Sequence, residues 1–279
     1  MTAARAHTMA PIDKATRQAA FGDTWRAYGP LFADRPQARY LLNTIATPVS
    51  RRWSFIANGK TGTTAALRAL FEIEFGTALS VTLTDPDDLN DDPAPHRLYQ
   101  TGVLSVLMAQ GASLVSIENA LRLTTVRHPG RRAASAFRYI CRADEVGHRA
   151  FLRERMVMNA YGLDWAQDRF VVRGFQKFLE ITRDQLCNEK NGLSVNLHWR
   201  PQVLNIVPAA YRPHVVGRME ALDVFTSEVA ARLDRPSPRL AVSNRQPAYD
   251  ADVLLADPTC ARLIREIYAA DFEEFGYDD

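Results

Sequence analysis

The chain has 279 residues, 47% of them apolar and 24% charged, with a formal net charge of +2. That balance belongs to a globular protein with a core of its own; it argues against a disordered chain and leaves no electrostatic footprint for nucleic acid. No run approaches the roughly 18 consecutive apolar residues that a membrane-spanning helix requires, so no transmembrane segment is expected.

Residues 1–11 lack the apolar stretch of a secretory signal and read as a frayed tail or start-site extension. Loose helical spacing over 12–28 predicts a short helix, and 1–50 as a whole reads as a tail and helix packed on the core. The aromatic and branched run at 51–57 predicts a strand, Asn58-Gly59 a turn, and the segment from Thr63 through Phe71 a helix. A second strand is expected at 80–84, an Asp- and Pro-rich loop at 85–95, and a helix at 99–110. Residues 121–126 read as a strand, His128-Pro129-Gly130 as a turn, and 131–142 as a helix. The stretch 149–190 reads as mostly helical, and 191–218 as irregular. Helices at 220–233 and 250–275 flank a Pro-rich loop at 235–247. Strands alternating with helices predict an α/β fold, a central parallel β-sheet flanked by helices, as one domain over 51–279. Ligands in such sheets sit beyond the carboxyl ends of the strands, where both glycine turns fall.

The segment Asn58-Gly59-Lys60-Thr61-Gly62-Thr63-Thr64 joins a strand to a helix. Gly59 and Gly62 let backbone approach an anion, and the helix N-terminus offers unpaired N–H groups. Lys60 adds a full charge, and Thr61, Thr63 and Thr64 add hydroxyls. The turn is P-loop-like, and a P-loop kinase or nucleotide hydrolase is the alternative reading, with Asp85 as its metal-binding carboxylate. Against it, the first glycine of that motif would fall at Ser54, so the loop is short on its upstream side. A plain Thr-capped helix is the bland reading.

In the second segment, Val126-Arg127-His128-Pro129-Gly130-Arg131-Arg132-Ala133-Ala134-Ser135-Ala136-Phe137-Arg138, a strand delivers Arg127 at its carboxyl end. Arg127 suits bidentate phosphate binding, with Ser135 donating to the same group. Arg132 and Arg138 read as a solvated helix face, and His128 as a residue shaping the turn. Cys141, Cys187 and Cys260 are odd in number and widely spaced, which predicts free thiols and a cytoplasmic protein; no Cys/His cluster suggests a metal site.

Together these segments resemble the PAPS-dependent sulfotransferases, whose 5′-phosphosulfate loop often reads Pro-Lys-Thr-Gly-Thr-Thr and whose 3′-phosphate motif matches Arg127 to Arg138. Leu197-His198-Trp199-Arg200-Pro201-Gln202, Val216-Gly217-Arg218-Met219-Glu220-Ala221-Leu222 and Asp271-Phe272-Glu273-Glu274-Phe275-Gly276-Tyr277 resemble the carbohydrate-type branch. The resemblance implies the donor 3′-phosphoadenosine 5′-phosphosulfate (PAPS) and the product adenosine 3′,5′-bisphosphate (PAP). It implies a small-molecule or glycan acceptor and no metal. Gly59, Lys60, Thr61, Gly62, Thr63 and Thr64 would hold the phosphosulfate, Arg127 and Ser135 the 3′-phosphate, and Arg218 is a further candidate for the nucleotide. Lys60 would face the bridging oxygen of the leaving group. His96, His198 or an acid in the 85–92 loop would take the acceptor proton. Trp165, Trp199 and Tyr211 are candidates for stacking on a sugar or adenine. Asn58-Gly59 replaces the usual proline, which predicts a slightly more mobile loop.

Overall fold

The computed structural model describes residues 12–84, 89–90, 92–188, 191–238 and 251–278. In chain order it runs α1 (Lys14–Tyr28), α2 (Arg35–Leu42), β1 (Ile45–Pro48), β2 (Trp53–Ile56), α3 (Thr63–Phe75), α4 (Ala94–Arg97), β3 (Leu104–Val106), α5 (Leu107–Gln110) and β4 (Leu121–Val126). There follow α6 (Pro129–Glu145), α7 (Leu152–Ala160), α8 (Val172–Cys187), α9 (Gln202–Ile206), α10 (Pro208–Tyr211), β5 (Val215–Arg218), α11 (Leu222–Arg232), α12 (Ala251–Ala256) and α13 (Pro258–Phe275).

The five strands form one sheet in the order β3-β1-β2-β4-β5. β2, β4 and β5 are parallel neighbours, whereas β1 is antiparallel to both β2 and β3. Four strands thus share one direction and β1 alone is reversed. Register aligns Ile56 with Thr124 and Val126 with Arg218, so the carboxyl ends of β2, β4 and β5 open on one edge. Their alternating side chains supply two cores. Trp53, Phe55, Leu123 and Val215 pack with Leu67 and Leu70 of α3 and Phe225 and Val229 of α11. Ile56 and Val126 face the other way, with Leu41 and Leu42 of α2 and Tyr211. A third core joins Phe137 of α6, Phe175 and Phe178 of α8, Trp199 and Tyr268.

Several expectations change. The boundary expected at residue 51 cuts the sheet between β1 and β2, because Ile45 and Ala46 pair with Ile56 and Phe55. Residues 80–84 form no strand, and Val81 and Leu83 are exposed, because the neighbour of β2 on that side is β1. Within 99–110, Leu104–Val106 is extended, since it pairs with β1 and closes the sheet edge. The irregular segment 191–218 ends in β5, a four-residue strand whose pattern is too short to show periodicity.

Candidate functional site

The loop after β2 is built to bring backbone close to its neighbours. Gly59 lies against the 197–198 backbone: a Cβ there would meet Leu197 Cδ1 at 2.9 Å and His198 Cα and Cδ2 at 3.0 Å. Gly62 is the N-cap of α3 with φ +78°, a left-handed conformation suited to glycine. Lys60 has φ +66°, a conformation that costs a non-glycine residue about 1–3 kcal/mol. Strain of that size persists only where the surroundings fix the loop.

The fixing is done by buried polar groups. The Asn58 side chain is fully buried; its Nδ2 donates to Gln202 Oε1 (3.0 Å) and its Oδ1 accepts from Asn205 Nδ2 (2.8 Å). Thr61 and Thr63 hydroxyls donate to the Asn58 carbonyl, and Thr61 Oγ1 also bonds Thr125 Oγ1 of β4 (2.9 Å). Asn58-Gly59 therefore adds tethers where greater mobility was expected.

Arg132 is the largest correction. It is only 1% exposed, not part of a solvated face. Its Nε donates to Gly59 O (2.9 Å), one terminal nitrogen to Arg200 O (2.8 Å), and the other to Leu197 O (2.7 Å) and Asn58 Oδ1 (3.3 Å). One guanidinium thus rivets the loop to the 197–200 segment. The Asp271 carboxylate is fully buried and accepts from the Gln202 and Val203 N–H groups at the start of α9. Its pKa is raised by burial, against the pull of the Arg132 charge. Gln202 in turn binds both backbone groups of Arg127: Oε1 accepts from Arg127 N (3.0 Å) and Nε2 donates to Arg127 O (2.9 Å).

Around this frame the charged groups crowd together. The Lys60 ammonium lies 3.8 Å from the Tyr139 ring centroid. Its pKa is pushed down to about 8, first by burial and then by the charges of Arg127, Arg138 and Arg142. Arg127 also donates to Lys60 O (3.4 Å). Ser135 is half-buried on α6, on the turn before Arg138 and Tyr139. His128 caps α6 by accepting from the Arg131 N–H.

Both candidate histidines reach the loop. His96 Nε2 bonds Thr64 Oγ1 (2.9 Å). His198 Nδ1 bonds Asn196 Oδ1 (2.8 Å), and its ring packs against Tyr139 and Phe151. The His198 pKa is pushed down to about 3 by burial, then by the charges of Lys60, Arg132 and His96. Of the 85–92 acids, Asp92 forms a two-point ion pair with Arg68; Asp85, Asp87, Asp88 and Asp91 lie outside the described residues.

The remaining candidates sit elsewhere. Arg218 donates to the Phe275 and Gly276 carbonyls and stacks on Tyr277, closing the end of α13. The Tyr211 hydroxyl is buried between Ser54 of β2 and Leu123 of β4, so it joins strands rather than stacking on a ligand. Trp199 is core, 1% exposed, and Trp165 donates to Arg155 O beside the same core. The three cysteines form no disulfide, and burial pushes the Cys141 and Cys260 thiols up to about 12. Among the described residues, no helix is long and apolar enough to cross a membrane.

A family model described as the sulfotransferase family matches residues 104–278, well over half of the chain. The chain belongs to the sulfotransferase family. No curated protein and no solved structure matches it. Family membership assigns sulfuryl transfer as the reaction class. The matched region begins after the Lys60 loop, yet Arg132, Asn205, Gln202 and Thr125, all within it, are what hold that loop. Asn58, Arg132, Asn196 and Asn205 were not legible as site residues from sequence. Their only signal is proximity to the two glycine turns and to His198.

Proposed function

We propose that the protein moves a sulfuryl group from PAPS to an acceptor hydroxyl held beside the Lys60 loop, releasing PAP. The observation that carries this reading is the Lys60 cluster. A half-buried lysine whose ammonium sits on the Tyr139 ring, 3.8 Å from its centroid, and feels the charges of Arg127, Arg138 and Arg142 marks a place where positive charge is held for an anion. The chain's groups fit such a donor. The amides at the start of α3 and the Lys60 ammonium suit the 5′-phosphosulfate, while the Thr63 and Thr64 hydroxyls are engaged by the Asn58 carbonyl and His96; Arg127 with Ser135 suits the 3′-phosphate. The approach of Gly59 to His198 leaves the loop backbone close to a proton acceptor.

The donor supplies the sulfuryl group and a leaving oxygen whose negative charge grows as the bond to sulfur breaks. Lys60 stabilises that charge, and losing one such preorganised donor costs about 10²–10³ in rate. As the acceptor oxygen bonds to sulfur, its hydroxyl proton passes to a histidine. His198 is placed for this role with its Nε2 open, whereas the His96 Nε2 is bonded to Thr64; the negative charge of the bound donor opposes the Lys60 and Arg132 charges that, after burial, hold the His198 pKa down. An acceptor that is a sugar hydroxyl, on a glycan, glycolipid or glycosylated metabolite, is supported by the carbohydrate-type pattern at 197–202 and 271–277. A cytoplasmic location is supported by the three free thiols.

Calorimetric titration with PAP and with Mg-ATP tests the reading. Binding of PAP that is lost in Arg127→Ala, followed by turnover of PAPS with a sugar acceptor, is the expected result. A preference for Mg-ATP would replace it with the P-loop kinase or hydrolase reading.

A further inference from the structure

The surroundings of His198 fix more than its position. Asn196 Nδ2 donates to Glu154 Oε1 (2.8 Å), while Asn196 Oδ1 faces His198, 2.8 Å from Nδ1 and 3.1 Å from the backbone N. A carboxylate only accepts and a backbone N–H only donates, so Glu154 and the His198 backbone together turn the NH₂ end of the Asn196 amide to Glu154. The carbonyl end is left for the ring, and a carbonyl also only accepts. His198 Nδ1 must therefore carry the hydrogen, and in the neutral ring Nε2 carries the lone pair. Tyr139 and Phe151 clamp the ring, with centroids at 5.8 and 5.3 Å. The free edge is turned to the donor loop, since Cδ2, the atom bonded to Nε2, is the one a methyl on Gly59 would press at 3.0 Å. Among the described residues no hydrogen bond closes Nε2. The charges facing the ring are those of Lys60, Arg132 and His96, together with the burial that keeps it neutral.

We propose that Glu154 and Asn196 form a relay that holds His198 in the Nδ1–H tautomer and so dedicates its Nε2 lone pair to the acceptor hydroxyl beside the Lys60 loop. The inference rests on the sulfuryl-transfer reading for its last step only. Glu154 and Asn196 are positioning residues, acting through His198. In the transfer the acceptor O–H bond gives its proton to Nε2 while the oxygen bonds to sulfur. The bond from sulfur to the bridging oxygen breaks with its electron pair going to that oxygen. The free imidazole favours the opposite tautomer, so without the relay the lone pair would turn away from the loop.

The test is a long-range proton–nitrogen correlation spectrum of the full chain labelled with ¹⁵N-histidine, with His198 assigned by its loss in His198→Gln. At neutral pH the wild type should show Nδ1 protonated and Nε2 bare. Glu154→Gln keeps an acceptor oxygen and should keep that pattern. Asn196→Leu removes the acceptor that faces Nδ1, so the ring should switch to the Nε2–H tautomer that free imidazole favours. Glu154 and Asn196 are both half-buried, which makes both variants compatible with folding. In turnover with PAPS, Asn196→Leu should lower kcat by about 10²-fold, as expected for a lost general base, with the PAP dissociation constant unchanged and Glu154→Gln near wild type. An Nε2–H ring in the wild type, or no switch in Asn196→Leu, would overturn the relay. Full kcat in His198→Gln would overturn its dedication to the reaction. The spectrum reads the relay even if no acceptor turns over, so the two failures are separable.

Discussion

Replacing Arg132 by methionine keeps the unbranched apolar stem of the side chain and removes the guanidinium, with its charge and all its donors. Four acceptors are affected. Asn58 Oδ1 and Leu197 O each keep a bond from Asn205 Nδ2, so the loss there is partial. Gly59 O and Arg200 O receive no other side-chain donor among the bonds described. A buried polar group left unpaired costs about 1–3 kcal/mol, so these two alone give about 2–6 kcal/mol. The buried Asp271 also loses the charge that offsets its burial, which moves the total in the same direction. Urea unfolding followed by circular dichroism, with the slope checked for constancy, measures the change. Arg131→Met is the control: Arg131 is exposed and among the described residues its side chain pairs with the exposed Asp252, so it should change stability by less than about 0.5 kcal/mol. PAP affinity should fall in Arg132→Met, since the strained Lys60 turn loses its rivet. A loss below about 1 kcal/mol with unaltered PAP binding would refute the assignment of Arg132 as the tether between the loop and residues 197–200.

The remaining predictions concern the same frame. Lys60 is depressed from its ordinary value to about 8 by burial, so between that pH and about 10.5 the unfolded chain holds the proton that the folded chain has lost. Stability of the ligand-free protein should accordingly rise with pH across that window, and Lys60→Met should flatten the rise in pH-dependent unfolding. PAP affinity should run the other way, steady below about pH 8 and weakening above it, and calorimetry in buffers of different ionisation enthalpy should show proton uptake on binding above that pH. Gly59→Ala forces a methyl against Leu197 and His198 and should cost about 1–3 kcal/mol in thermal unfolding, with weaker PAP binding. Tyr211→Phe removes the hydroxyl shared by Ser54 and Leu123; it should lower stability by about 1–3 kcal/mol while leaving the PAP dissociation constant untouched. A lost PAP affinity there would restore Tyr211 as a ligand-facing residue.

The parts of the fold legible in the sequence were those with local signals. The strand, glycine turn and helix around Lys60, and those around Arg127, announce themselves by branched runs, Gly59, Gly62 and the His128-Pro129 cap. β1 and β5 do not: β2 is as short but aromatic and branched, whereas β1 ends in Pro48 and β5 carries Gly217, and both are extended through their pairing partners. Residues 80–84 have a strand's composition and no partner, so composition alone misled. Within the site, Lys60 and Arg127 stand out beside glycine turns. Arg132 and Arg138 are both arginines on one helix, and only the packing shows that the first is buried against Gly59 while the second faces the Lys60 charge. Arg218 lies at the same sheet edge as Arg127 but is drawn to the end of α13 by two carbonyls, a contact between segments 57 residues apart.

The grip of Gln202 on Arg127 and Asn58 has a practical consequence for anyone redesigning the enzyme. That one amide joins Arg127, at the end of β4, to Asn58, which anchors the Lys60 loop, and Arg132 joins that loop to residues 197–200. The setting of the Lys60 loop and the position of His198 are thus mechanically coupled. Substitutions within 196–205 should therefore disturb the Lys60 loop as well, whereas those at Leu152 and Met156, on the exposed face of α7, should leave this frame intact.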